Sequence, residues 1–140
     1  MLNVRVRGVQ AICCIVVMLL MGALNVMAEA PLKVGERYRL SVDSSKPEGD
    51  LTPEATTTGF RWTLTHTGAT YNAIHFEKFD LGPGEELVIS DGNGRQEVRL
   101  SGLGKMDLGT FWAQHVKGDT AVMEFITSGS KPGKGFKIDE

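Results

Sequence analysis

Short alternations of apolar and polar residues dominate the chain from residue 38 onward. No long segment shows the three-and-four apolar spacing of an amphipathic helix. YRLSV (Tyr38 to Val42) alternates, and FRWTLT (Phe60 to Thr65) sets Phe60, Trp62 and Leu64 on one face. YNAIHF (Tyr71 to Phe76) runs into EKFDL, while ELVIS (Glu86 to Ser90) and EVRL (Glu97 to Leu100) flank a DGNG step. TAVMEFI (Thr120 to Ile126) sets Ala121, Met123 and Phe125 against Val122, Glu124 and Ile126. Strands of this length, separated by Gly, Pro, Asn and Asp, predict an all-β fold, an antiparallel β-sandwich. Between them, Val42 to Thr58 reads as a long loop rich in hydroxyls, with two prolines. SGSKPGKG (Ser128 to Gly135) has the composition of a linker, and FKIDE after it reads as the start of another strand.

The N-terminus departs from this pattern. Residues 1–10 carry Arg5 and Arg7 and no acid, and residues 11–24, AICCIVVMLLMGAL, are apolar and uncharged. Small residues at Val26 and Ala28 suit cleavage after Ala28. The apolar stretch is shorter than the ~20 residues that span a bilayer. Residues 1–28 therefore read as a secretory signal peptide, and the expected localisation is extracellular, with no membrane association after cleavage. The remaining 112 residues are enough for one modest core, expected over 29–127, with 128–140 a linker and the start of a further segment.

Cleavage also changes the charge and the thiol count. The chain has 15 basic and 17 acidic residues, and loss of Arg5 and Arg7 leaves 13 and 17, a net of −4. An acidic chain without a basic cluster argues against nucleic acid and against anionic membrane surfaces. Cys13 and Cys14, the two cysteines, leave with the signal, so the exported chain has no disulfide to stabilise it.

Chemistry is sparse. DGNG (Asp91 to Gly94) supplies the positive φ angles of a hairpin turn and lacks the ligand series of an EF-hand. DLGPGEE (Asp80 to Glu86) brings Asp80, Glu85 and Glu86 to one turn. Carboxylates held together repel, and a calcium ion would offset that repulsion; the bland alternative is a set of solvated acids. His66, His75 and His115 lack metal-ligand spacing, and neither G-x-S-x-G nor G-D-S-G-G occurs, so no catalytic residue is assigned. Phe111 and Trp112 are neighbours on one strand and point to opposite faces. One is expected in the core, and an exposed Trp112 would stack on a sugar or a peptide; the bland alternative is that loops shield both.

The order of the pieces carries a resemblance. Ile74-His75-Phe76-Glu77-Lys78-Phe79-Asp80-Leu81, followed by Leu87-Val88-Ile89-Ser90-Asp91-Gly92, resembles the centre of a CUB domain. FWAQHVKGDTAVMEF resembles the closing strands of the cysteine-free, CUB-like modules of secreted microbial serine proteases. The resemblance covers residues 36 to 127 and implies a jelly-roll-like β-sandwich used for binding. Two departures limit it: the disulfides of typical CUB domains are missing, and Gly82 stands where a calcium-binding Glu would follow Leu81. With Glu86 near the place of one Asp and Asp119 standing in for the last, the resemblance extends the calcium candidates to Asp80, Glu85, Glu86 and Asp119. The expected function is a secreted, non-catalytic CUB-like module with a protein partner, fitting the N-terminal part of a secreted serine protease. A carbohydrate-binding sandwich, with Trp112 or Tyr71 as the stacking platform for a glycan, is the alternative.

Overall fold

The computed structural model describes residues 35–46, 49–128 and 131–140. The signal-peptide reading of residues 1–28 lies outside the described residues. A compact unit spans Arg37–Glu140. Its strands are β1 (Val42–Asp43), β2 (Glu54–Ala55), β3 (Gly59–Thr65), β4 (Tyr71–Asn72), β5 (His75–Asp80), β6 (Glu85–Asp91), β7 (Glu97–Leu100), β8 (Phe111–Trp112), β9 (Val116–Lys117), β10 (Thr120–Thr127) and β11 (Gly135–Ile138). All pairings are antiparallel. One sheet has the order β1-β11-β5-β8, a second the order β2-β3-β10-β6-β7, and β4 and β9 form a separate pair. The fold is an all-β antiparallel sandwich, as the alternation predicts.

Period-two patterning decides what each sheet buries. In β10, Ala121, Met123 and Phe125 are buried and Val122, Glu124 and Ile126 lie half-exposed. β3 lies beside it with Trp62 opposite Met123 and Phe60 opposite Phe125. Trp62 is buried as its alternation implies, but Phe60, on the same face, is exposed. Tyr38 to Ser41 forms no strand; regular pairing begins at Val42, after a bond from the Leu40 N–H to the Asp139 carbonyl. The predicted loop 42–58 contains β1 and β2, each of two residues. The only helical segment among the described residues is a three-residue turn at Lys105–Asp107, left-handed at Met106.

β11 corrects the predicted domain boundary. Residues 135–138 do not begin a further segment; they insert between β1 and β5 in the four-stranded sheet. Phe136 and Ile138 are buried, and the Phe136 ring lies 5.5 Å from Trp62, 5.7 Å from Phe125 and 5.9 Å from Phe76. Phe136 therefore joins the facing layers, since Trp62 and Phe125 belong to one sheet and Phe76 to the other. The physical reason is burial: two large apolar side chains at alternate positions gain more inside the sandwich than in a solvated tail. The sandwich strands thus run through Ile138 rather than ending at Thr127.

Candidate functional site

The four candidate calcium ligands are dispersed over different structural tasks. Glu85 and Glu86 are neighbours on β6 and point to opposite faces. Glu85 is only 7% exposed, and its carboxylate accepts the N–H of Gly82 at 2.7 Å and of Gly133 at 2.9 Å. It thereby ties the Gly-Pro-Gly turn to the segment leading into β11. The two backbones pass so closely that a Cβ on Gly82 would overlap the Lys131 carbonyl. Glu86 bonds Arg99 of β7 at 2.7 Å, and Asp80 bonds Lys134 at 2.8 Å. The carboxylates raise their cationic partners: Glu86 first and Glu97 second for Arg99, and Asp80 for Lys134. Asp119 precedes β10, whereas Glu85 faces Thr127 at its far end. At ~3.3 Å per residue, Asp119 stands about 20 Å or more from Glu85. The structure therefore does not bring the four acids together. Among the described residues, no group of three or more His, Cys, Asp or Glu is placed to hold a metal ion.

Two other clusters of polar side chains also serve the backbone or each other. Asp91 is buried at the start of the DGNG turn, where its carboxylate accepts the Arg95 N–H at 2.7 Å. The turn joins β6 and β7 as a hairpin, as predicted, and is closed by the Asp91 N–H donating to the Gln96 carbonyl at 3.1 Å. His75 Nδ1 lies 2.6 Å from an Asp139 oxygen. The ring also lies 4.8 Å from the Trp112 ring.

Tyr71 and Trp112 do come together. Both line one open groove of about 710 Å³. This lies within the ~300–1,000 Å³ range of ordinary ligand clefts. One wall is β7 and the residue after it, Val98 to Ser101. The other is β8 and the chain beyond it, Trp112 to His115. These are edge strands of the two different sheets, so the groove is the open side of the sandwich. Tyr71 is 40% exposed and packs edge-on against His115 at 5.5 Å. Trp112 is 37% exposed while its neighbour Phe111 is buried, so loops do not shield both. Its ring is not bare: besides His75, the Arg37 guanidinium lies 5.4 Å from the ring centre. Arg99 and Lys105 also line the groove, and among the described residues no acid does.

Sequence reasoning missed the groove's cationic lining and its neighbouring loop. Leu103, Met106 and Leu108 are all exposed, Met106 at 81%, in the loop that leads from β7 to β8. Met106 and Asp107 both hold left-handed φ angles there. Three exposed large apolar residues in six positions were visible in the string LGKMDL; what hid them was the absence of any pattern to say which way they face. No protein-family model, curated protein or solved structure matches the chain.

Proposed function

We propose that this chain is an exported, non-catalytic binding module that takes a protein partner in the groove between β7 and β8. The observation that carries the reading is the convergence of Tyr71 and Trp112, from distant parts of the chain, on that one groove beside two cations. Exposed aromatics with a polar rim are what recognition surfaces use: they contribute large contact area at little cost in side-chain order. The signal-like N-terminus and the Phe-Asp-Leu order that resembles CUB-like modules support export and binding rather than catalysis.

The glycan alternative rests on the same two aromatics. Tyr71 remains exposed, but the Trp112 ring already carries His75 and Arg37, which weakens it as a sugar platform. The test is selection of displayed random peptides on the purified module, set beside titration with soluble polysaccharides followed by tryptophan fluorescence. Selected peptides that lose at least tenfold in affinity with Trp112→Ala support the protein-binding reading. A saturable polysaccharide response with no peptide retained would replace it by the glycan one.

A further inference from the structure

The outer edge of β7 is open. Glu97–Leu100 pairs with β6 on one side, and among the described residues no backbone hydrogen bond reaches these four from any other element. Residues along an antiparallel strand alternately turn their N–H and C=O groups to one edge and the other. About half of this strand's polar backbone therefore faces away from β6, without a protein partner. The other terminal strands of the two larger sheets, β1, β2 and β8, have two residues each, so β7 is the longest edge they offer. A row of unpaired backbone groups is a template for another strand.

The groove says what kind of strand. Because β7 forms one wall and Trp112 and Ala113 stand across from it, the space is a trench. With only four residues of edge beside this lining, it offers backbone groups to a short extended chain. The edge is ~13 Å long at ~3.4 Å per residue, so it offers register to about four residues of a visitor. Val98 and Leu100 turn inward, and Glu97 and Arg99 turn outward. A visitor in register would then alternate apolar and polar side chains to match. Arg99 is already neutralised by Glu86 and Glu97, but Lys105 has no acidic partner among the described residues.

Resting on the protein-binding reading above, we propose that β7 binds an extended peptide of a partner protein as an added strand. The peptide alternates apolar and polar residues and carries an acid near Lys105. Backbone pairing supplies the affinity, and the apolar wall with Lys105 supplies the choice of sequence.

The experiment uses the peptides selected on the groove and reads hydrogen exchange of the module's amides with and without them. Bound peptide is expected to slow exchange at least tenfold within Glu97–Leu100, and Lys105→Glu is expected to weaken binding severalfold. Val98→Pro and Arg99→Pro are made as a pair. Neighbouring residues face opposite edges, so one variant loses a groove-facing N–H and the other a bond to β6. The groove-facing one is expected to lose the peptide at least tenfold with the smaller fall in unfolding midpoint, since it forfeits side-chain contacts only; the other also breaks the sheet and loses more stability. Peptide binding that needs Trp112 and Lys105 but leaves the β7 amides unprotected would overturn strand addition while leaving the module reading intact. Protection of β7 that rises with protein concentration and needs no peptide would overturn it in favour of a second copy on that edge. Peptide binding indifferent to Trp112→Ala, to Lys105→Glu and to both prolines would sink both readings.

Discussion

Replacing Glu85 separates a backbone clamp from a metal ligand. Its carboxylate is the acceptor for two N–H groups, those of Gly82 and Gly133, from segments about fifty residues apart. Glu85→Ala strands both donors in a nearly dry place. An unsatisfied buried donor costs about 1–3 kcal/mol. Water entering the hole left by the side chain offsets part of this, so the expected loss is about 2–4 kcal/mol rather than the full sum. Glu85→Gln keeps an acceptor oxygen and gives up the charge, and is expected to lose about 1–2 kcal/mol, the margin between charged and neutral hydrogen bonds. The assay is urea unfolding followed by Trp62 fluorescence in a Trp112→Phe background, with and without calcium. The clamp predicts that the order wild type, Gln, Ala holds in both buffers and that calcium leaves each gap unchanged. A Glu85→Ala loss under about 1 kcal/mol would refute the clamp. So would a calcium-dependent rise in the wild-type midpoint that both variants abolish, because a metal bound only by the native state stabilises it.

Three further outcomes follow from the same structure. Phe136→Ala is expected to cost about 3–5 kcal/mol, as for a buried Phe, lowering the thermal midpoint by about 12 °C or more; a change under 3 °C would return residues 135–138 to the status of a tail. Gly82→Ala is expected to destabilise by about 1–3 kcal/mol through collision with the Lys131 carbonyl, and wild-type urea unfolding of the variant would show that the two segments are not in contact. Asp43 is held below the usual carboxylate range, first by the Ser45 hydroxyl at 2.6 Å and then by the Ser45 N–H at 3.0 Å. A carboxyl depressed in the folded state contributes stability above its free value of ~3.9 that is lost as pH falls through the folded one. Stability measured against pH should thus show Ser45→Ala below wild type at pH 6 and the gap narrowing below about pH 4; a gap constant down to pH 2 would contradict this.

Much of the fold could be read from alternation, because burying one face of a strand is a local property of the string. β3, β5, β6, β7 and β10 lie within a few residues of their predicted places, and β10 buries the face its pattern selects. FKIDE reads as a strand, but its place inside this sandwich was obscured for two reasons. Four residues hold too little alternation to be distinctive, and the preceding SGSKPGKG has the composition of a linker. What makes GFKI a strand is its neighbours β1 and β5, which lie far back in the chain. The acids show the opposite case. Alternation alone places Glu85 and Glu86 on opposite faces, so their separation was already legible. That Glu85 is the buried member, with two glycine N–H groups waiting for it, depends on where the segment around Gly133 returns. The groove was out of reach of the sequence for a related reason. Tyr71 and Trp112 could each be nominated as exposed aromatics, but that they share a groove depends on which strands end the two sheets.

The place of β11 sets an order of events during synthesis. β1 and β5 emerge early, yet they are not neighbours; the strand that joins them is the last of the eleven to be made. Until it arrives, the four-stranded sheet has a missing rung and Trp62 and Phe125 lack the ring that packs against both. Contacts between segments this far apart close slowly, because the entropy of the intervening chain is lost before they form. The four-stranded sheet stays open until β11 has been made. The latch of this sheet is thus made well after the two strands it joins.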